Sequence, residues 1–365
     1  MAVELKLENQ PDEAVRALLN ETTLGTPGGI QYKHLNVDEK LDGLKDTRFL
    51  SLRLRNRTLG TLSLTRRIFE HDGLHPLASD YIRYLSIKSL MRNEKSHRTK
   101  KKTQPKKNNS TQRLVSEFFN NYATLKGLDI PASSDYIMYA FVDAHNERSA
   151  NLVEKNGFKP YRKFKTSAYN NFFPKKQPEV KPLDLQKHGA AVKSFLYQEY
   201  TDHSLYHPAL IELDQDYWIF EQDGTIIAGV KVRPAIWKIV NLPGVFGSFL
   251  LKLLPNMPLL KKHFNPTSFK FLALEGILLK DGYEGALPKL LEGICYEYQQ
   301  SIAMFWFDTE SKLFNRIQKI SNMGFLRKVL KFKPASLYIK SDGLSEQTEK
   351  FLKETPTYIS ANDVI

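Results

Sequence analysis

One sequence pattern occurs twice in the chain, and this internal repeat constrains the fold more than any other feature. An apolar strand-like run, a helical segment, a Gly-Phe pair and a further strand-like run fill residues 141–165, and the same order returns in residues 305–333. Gly157-Phe158 of the first copy corresponds to Gly324-Phe325 of the second. A repeated unit predicts two related domains, and 365 residues is enough for two domains of about 180 residues each.

The elements around the repeat predict where the two domains meet. Long buried strands are predicted at Tyr81–Met91 and at Phe269–Leu279, where aromatic, β-branched and leucine residues dominate. Between them, Pro174–Pro182 contains three prolines and three lysines, which is typical of a linker. We therefore expect an N-terminal domain over residues 1–175 and a C-terminal domain over residues 183–365.

Charge is distributed unevenly along the chain. The formal net charge is +13, and the segment Lys95–Ser110 is rich in lysine and contains no apolar residue. Such a segment cannot bury itself, so it is predicted to be a flexible, solvated loop. Its charge would allow contact with nucleic acid, but the absence of interleaved aromatic residues does not favour that partner.

The composition excludes several classes of protein. A single cysteine, Cys295, excludes an internal disulfide and any cysteine-clustered metal site, and no metal site is predicted. The amino-terminal sequence has no secretory-signal pattern, so the expected location is the cytoplasm. The apolar stretch Pro234–Leu260 contains four prolines and two lysines, so no membrane span is expected there.

The first copy of the repeat carries a more specific pattern at Asn146–Phe158 (NERSANLVEKNGF), directly after an apolar strand. This pattern resembles the GNAT acyltransferase superfamily, and the resemblance covers nearly the whole chain because the order of elements agrees in both halves. It implies an α/β (α+β) fold of two tandem GNAT-like domains, each with a central mixed β-sheet flanked by helices. It also implies transfer of an acyl group, such as acetyl, from acetyl-CoA to the amine of a small molecule or peptide.

The same resemblance implies where the co-substrate binds. In GNAT enzymes the pyrophosphate of coenzyme A contacts backbone N–H groups between a long strand and the next helix, where glycine permits close approach. Glu284 stands where the family pattern has an arginine, and its carboxylate opposes phosphate binding. The alternative is that the two glycines of this loop only form a tight turn. The residues implied for acetyl-CoA binding are Leu278, Leu279, Lys280, Gly282, Gly285, Ala286 and Lys289.

Glu275 is the candidate catalytic residue. It lies within the apolar run FLALEGILL, where burial would favour the neutral carboxyl and suit a general base. The alternative is that Glu275 is paired with an arginine or a lysine. The tyrosine that protonates the leaving thiolate in the family is missing from both halves, because Val153 and Ile320 occupy the corresponding positions.

Three functions remain open on this evidence. The first is an acyl-CoA-dependent N-acyltransferase whose working site lies in the second half. The second is a binding or scaffold protein on a catalytically degenerate tandem GNAT fold, which the missing tyrosines favour. The third is a transferase that uses aminoacyl-tRNA, with the basic segment in contact with RNA. The acceptor substrate is not predicted by the sequence.

Overall fold

The computed structural model describes residues 3–26, 28–55, 57–87, 110–120, 135–242, 264–329, 332–341 and 343–365, together with Gly247 and Leu251. The predicted flexible loop Lys95–Ser110 lies outside the described residues, apart from Ser110, where a helix begins.

Residues 1–175, called here the first half, alternate strands and helices. Asp12 and Asn146 cap helices α1 and α4 by accepting hydrogen bonds from backbone N–H groups three residues later. The strands are β1 (Val3–Glu8), β2 (Gln31–His34), β3 (Thr47–Leu54), β4 (Arg57–Phe69), β5 (Leu77–Ile87), β6 (Asp135–Val142) and β7 (Lys159–Asn170), and the helices are α1 (Glu13–Glu21), α2 (Val37–Asp42), α3 (Ser110–Asn120) and α4 (Glu147–Lys155).

A short edge strand, β8, precedes residues 183–365, which we call the second half and which follow a similar order of elements. The strands are β8 (Val180–Pro182), β9 (Tyr217–Gln222), β10 (Thr225–Asn241), β11 (Phe269–Leu279), β12 (Ile302–Asp308) and β13 (Ala335–Ser341), and the helices are α5 (Leu185–Tyr200), α6 (Ala286–Glu297), α7 (Lys312–Gln318), α8 (Leu326–Val329), α9 (Glu346–Glu354) and α10 (Ala361–Val364). The predicted strand Phe269–Leu279 is confirmed with both of its bounds.

Within the described residues, thirteen strands belong to one mixed sheet. Twelve of them run in the order β1-β3-β4-β5-β6-β13-β7-β12-β11-β10-β9-β8, and β2 pairs with the end of β10. Strand β13 of the second half lies between β6 and β7, whereas β7 of the first half borders β12. The α/β fold class, a large mixed sheet flanked by helices, is confirmed. The division into domains 1–175 and 183–365 stays a prediction.

The repeat is visible in the backbone of the sheet. The parallel pair β5–β6 ends at Ile82 opposite Ala140, and the parallel pair β11–β12 ends at Leu274 opposite Phe305. Two residues further on, each long strand has a residue with positive φ, 55° at Tyr84 and 60° at Gly276. Beyond these points both pairs of strands separate. Arg83 and Glu275 therefore occupy equivalent positions in the two halves.

The two Gly-Phe pairs also match in conformation. Gly157 has a φ of 87° and Gly324 a φ of 88°, values that favour glycine. At Gly324 an added Cβ would also lie 2.3 Å from the main-chain oxygen of Asn170 on β7. The two glycines thus share a left-handed backbone conformation, but Gly157 directly follows the C-cap of α4, whereas α7 ends at Gln318, well before Gly324.

Three of the predicted element boundaries are wrong. The strand predicted at Tyr81–Met91 starts earlier, as β5 (Leu77–Ile87), because it begins directly after the turn that follows β4 and pairs with that strand from Leu77; residues 88–91 of the prediction lie outside the described residues. The linker predicted at Pro174–Pro182 ends in β8, which pairs with β9. The sequence pattern also predicts a closing strand or hairpin at Phe325–Lys340, but this segment begins with helix α8, whose first backbone N–H donates to the side chain of Asn170.

Candidate functional site

The loop predicted to hold the pyrophosphate lies between β11 and α6. Arg316 of α7 contacts this loop through three hydrogen bonds. It donates to the main-chain oxygens of Leu279 and Lys280 at 3.0 and 2.9 Å and to Glu284 Oε1 at 3.1 Å. Hydrogen bonds from the backbone N–H groups of Glu284 and Gly282, together with Arg316, lower the pKa of the Glu284 carboxyl. The protein's own carboxylate thus lies at the loop where the resemblance implies the pyrophosphate, and its charge opposes a phosphate there.

The remaining residues predicted for acetyl-CoA binding divide into two groups. Leu278, Leu279 and Ala286 are buried in the core, whereas Lys280, Gly282, Gly285 and Lys289 are exposed. Lys289 lines an open groove beside the start of α6 that holds about 990 Å³ of empty space, and both Glu284 and Glu292 also line it. The structure therefore brings only the loop and the start of α6 to one surface, and the predicted cofactor role of these residues stays a prediction.

Glu275 is buried and paired. Its Oε1 accepts a hydrogen bond from Arg233 Nε at 2.6 Å, and its Oε2 accepts from Ser360 Oγ at 2.8 Å and from the backbone N–H of Ala361 at 3.1 Å. Only 3% of Glu275 is exposed. This is the ion-paired arrangement that the sequence left open as the alternative, and a role as general base stays a prediction.

The gap between β11 and β12 is filled by the chain itself. Residues 356–361 run across it: the backbone N–H of Thr357 donates to Asp308 Oδ2 at 3.0 Å, and that of Tyr358 donates to the main-chain oxygen of Ser204 at 2.8 Å. The hydroxyls of Tyr200 and Tyr217 donate to main-chain oxygens of β11 beyond its separation from β12, each at 2.9 Å. Two backbone acceptors of the second-half gap, the main-chain oxygens of Gly276 and Ile277, are thus already satisfied.

The equivalent gap in the first half is more accessible. We call the space between β5 and β6 beyond Ile82 and Ala140 the first-half opening. Arg83, Tyr84 and Phe141 beside it are half-buried, and Asp143 at its mouth is exposed. In the second half every residue from Glu275 to Leu279 and from Trp306 to Asp308 is buried.

Aromatic rings from both halves lie near the first-half opening. Strand β2 pairs with β10 so that His34 lies opposite Trp237 in the register. The Tyr32 ring stacks on Trp237 with a centroid distance of 3.9 Å and an angle of 18° between the planes. Tyr32 belongs to the same apolar cluster as Phe141, and burial, reinforced by the charge of Asp143, raises the pKa of its hydroxyl.

A group of basic side chains lies beside these rings. Lys40 Nζ lies 2.9 Å from His34 Nδ1. Burial and, to a smaller extent, the charge of Arg83 lower the pKa of Lys40 to about 7. Burial and the charges of Lys40 and Arg83 also hold the pKa of His34 well below its ordinary value. Arg83 donates from Nη2 to the main-chain oxygen of Ile365 at 2.9 Å, and its guanidinium lies 4.5 Å from the centroid of the Tyr84 ring.

The loop before β2 closes one side of the mouth. Asp143 Oδ1 accepts a hydrogen bond from the backbone N–H of His145 at 2.8 Å. A Cβ added at Gly29 would lie 3.3 Å from Cδ2 of His145 and 3.9 Å from Asp143 Oδ1. A larger residue at position 29 would therefore push against the mouth of the opening.

Sequence reasoning did not predict Tyr32, His34, Lys40 or Arg83 as site residues. The equivalence of Arg83 with Glu275 emerges only from the structure, where the two long strands align on their last parallel pairs. Tyr32, His34 and Lys40 have no counterpart in the repeat, so the sequence alone carries no signal for them.

Two further findings concern the described part of the chain. It contains no group of three or more His, Cys, Asp or Glu side chains arranged to hold a metal ion. None of its helices has the length and apolar character that a membrane span requires.

Comparisons with known proteins identify the fold through solved structures alone. No protein-family model matches the chain, and no curated protein matches it. N-myristoyltransferase from Saccharomyces cerevisiae, solved with bound myristoyl-CoA, matches with a TM-score of 0.50 at 12% identity, over 97% of this chain and 84% of that one. A GCN5-related N-acetyltransferase from Sphaerobacter thermophilus matches with a TM-score of 0.48 at 11% identity, over 93% of this chain and 97% of that one. The chain therefore has the GNAT-type fold that the resemblance predicts, a fold it shares with N-myristoyltransferase.

Proposed function

We propose that this protein is an N-acyltransferase that takes its acyl group from an acyl-CoA such as acetyl-CoA, and that the first-half opening is its working site. One observation carries the choice of site. Where the β5–β6 pairing ends, Arg83, Tyr84 and Phe141 are half-buried and Asp143 is exposed, whereas residues 357–359 and Tyr200 leave only a small cavity in the matching gap of the second half.

The backbone of the first-half opening suits an acyl-CoA. Strand β5 stays paired with β4 as far as Ile87, but its pairing with β6 ends at Ile82. The edge of residues 83–87 that faces β6 therefore lies outside that ladder, and amide groups of an extended ligand could pair with it. The acyl-CoA would supply the thioester, and the residues of the chain would orient it and exclude water from it.

The sequence predicts a working site in the second half, and two features of the second half argue against it. The Glu284 carboxylate lies at the loop predicted to hold the phosphates, and the main-chain oxygens of Gly276 and Ile277 accept hydrogen bonds from tyrosines. The filled second half also supports the alternative of a binding protein, in which neither half turns over substrate.

A matched pair of variants tests the proposal. Asp143 lies exposed at the mouth of the first-half opening, and Asp281 lies exposed in the loop of the second half. Replacing either by tryptophan adds bulk at a solvent-facing position. We expect Asp143→Trp to weaken the binding of acetyl-CoA by about tenfold or more in calorimetric titration, and Asp281→Trp to leave it unchanged.

The opposite pattern would assign binding to the second half. Absence of heat with acetyl-CoA, longer acyl-CoAs and coenzyme A at millimolar concentration would contradict the enzyme and leave the binding-protein alternative.

A further inference from the structure

We propose that Asp363 is a positioning residue of the first-half opening: its buried ion pair with Arg67 holds residues 363–365 in place as one wall of that opening. The inference rests on the proposed function, and it adds the device that shapes the site. Asp363 acts through the backbone that it holds and does not itself contact the substrate.

The segment that carries Asp363 contacts the points of strand separation in both halves. We call residues 356–365 the strap. In the second half Glu275 accepts hydrogen bonds from the side chain of residue 360 at 2.8 Å and from the backbone N–H of residue 361 at 3.1 Å. In the first half Arg83 Nη2 donates to the main-chain oxygen of Ile365 at 2.9 Å. Arg83 and Glu275 are equivalent, so one short segment joins the same point of both halves.

Asp363 fixes the part of the strap that reaches the first half. Both of its carboxylate oxygens accept hydrogen bonds from Arg67 of β4, each at 2.6 Å, and its main-chain oxygen accepts from Tyr81 Oη at 2.6 Å. Arg67 Nη1 also donates to Tyr139 Oη at 2.8 Å. The side chain of Asp363 is 3% exposed and that of Arg67 is 15% exposed. A bidentate pair with so little exposure fixes the direction of the backbone at Asp363.

The two tyrosines locate this anchor directly before the first-half opening. Tyr81 and Tyr139 lie opposite each other in the parallel pair β5–β6, one residue before its last pair, and their rings stack with a centroid distance of 5.0 Å. Phe141 follows two residues later, on the same face of β6 as Tyr139, and it belongs to one apolar cluster with Ile365. The end of the strap therefore covers the opening on this face of the sheet.

A second network of the same composition lies on the opposite face and provides a control. Arg66 precedes Arg67 on β4, so the two side chains point to opposite faces of the sheet. Arg66 donates to both carboxylate oxygens of Asp80 at 3.0 and 2.9 Å, and Tyr136 Oη donates to Asp80 Oδ2 at 3.0 Å. The side chain of Asp80 is 2% exposed. This network joins β4, β5 and β6, so its loss should destabilise the sheet on the face away from the strap.

Variants that remove one charge compare the two networks. Asp363→Asn and Asp80→Asn each weaken a buried bidentate pair, so both should lower the melting temperature. Calorimetric titration of the full chain is run at a temperature where circular dichroism shows both variants fully folded. We expect Asp363→Asn to weaken the binding of acetyl-CoA by about tenfold, because the wall loses its fixed position, and Asp80→Asn to change that affinity by less than about twofold.

A milder pair of variants applies if Asp363→Asn does not fold. Tyr81→Phe removes only the hydrogen bond to the main-chain oxygen of Asp363, and Tyr136→Phe removes the matching bond to Asp80. We expect Tyr81→Phe to weaken the binding of acetyl-CoA by about threefold and Tyr136→Phe to leave it unchanged.

Amide hydrogen exchange without ligand tests the wall separately from the function. Peptides that cover residues 359–365 should exchange at least about tenfold faster in Asp363→Asn than in the parent, and at the rate of the parent in Asp80→Asn. Unchanged exchange of these peptides in Asp363→Asn would overturn the inference.

The outcomes separate the failure of this inference from that of the proposed function. An affinity for acetyl-CoA that is unchanged in Asp363→Asn, or reduced equally in Asp363→Asn and Asp80→Asn, would overturn the positioning role and leave the acyltransferase standing. Failure of the parent itself to bind acetyl-CoA would contradict the proposed function, whereas faster exchange of residues 359–365 in Asp363→Asn alone would still support the wall.

Discussion

Substitution of Lys40 by methionine should change the stability of the protein with a sign that depends on pH. Lys40 lies beside His34 of β2 and Arg83 of β5, and Glu39 of its own helix is the acidic neighbour that acts on it. Burial lowers the pKa of Lys40 from 10.5 to about 7. A fall of that size corresponds to about 5 kcal/mol of unfavourable free energy for the charged form. Because Lys40 is partly exposed and its charge is screened, we reduce the unfavourable free energy of the charged form to about 2.5 kcal/mol.

The sign follows from the protons that each state binds. Below pH 7 the lysine is charged in both the folded and the unfolded chain, so the folded state carries the full cost. Between pH 7 and 10.5 the unfolded chain keeps a proton that the folded chain has lost, and stability rises with pH. Methionine removes the cost but also the hydrogen bond to His34 Nδ1, which is worth about 1 kcal/mol.

Lys40→Met should therefore be more stable than the parent by about 1.5 kcal/mol at pH 6 and less stable by about 0.3 kcal/mol at pH 9.5, where about 0.7 kcal/mol of the reduced cost remains. Urea unfolding followed by circular dichroism at the two pH values measures both differences. Lys45→Met, at an exposed position, should match the parent at both. A difference for Lys40→Met that is the same at pH 6 and pH 9.5 would refute the reasoning, because it would show that Lys40 keeps its ordinary pKa.

Three other substitutions test the fold and the second half. Gly324→Ala combines a φ of 88° with a Cβ placed 2.3 Å from a main-chain oxygen, so it should lower the free energy of unfolding in urea by about 3 kcal/mol. Gly282→Ala has a φ of 81° but open space around the added Cβ, so it should lower that free energy by only about 1 kcal/mol. Equal losses for the two variants would contradict the close contact at position 324. Arg162→Met leaves the buried Asp308 carboxylate without its guanidinium partner, so it should lower the free energy of unfolding by about 3–5 kcal/mol. A loss of unfolding free energy below about 1 kcal/mol would show that the pair is not desolvated. Glu275→Gln leaves Arg233 without its buried partner, so it should lower the melting temperature and leave the turnover of the folded fraction unchanged. A fall in turnover of about two orders of magnitude at unchanged melting temperature would instead make Glu275 the base that the sequence predicts.

The sequence predicts much of the local structure and little of the long-range pairing. The apolar run Phe269–Leu279 and the helix Leu185–Tyr200 are predicted with their bounds, because periodicity and capping are local signals. The insertion of β13 between β6 and β7 is not predicted, because it joins residues almost 200 positions apart in the chain and no local pattern specifies such a partner.

The residues of the candidate site likewise fall into those that a local sequence pattern predicts and those that only the fold brings together. Glu275 and the loop after it are visible as motifs, since they lie in one continuous segment that resembles a family. The cluster of His34, Lys40 and Arg83 comes from three separate elements, and two of them, β2 and α2, are too short for a clear periodic signal. The pairing of Glu275 with Arg233 depends on the register of β10 against β11, which sequence patterns alone do not determine.

The central claim is that the first half holds the acyl-CoA, and amide hydrogen exchange tests it most directly. Exchange of the full chain is followed by mass spectrometry with and without saturating acetyl-CoA. We predict new protection in peptides that cover residues 83–87 and 141–143, which border the first-half opening, with little change in residues 276–287. Protection confined to residues 276–287 would contradict the account and place the co-substrate in the second half.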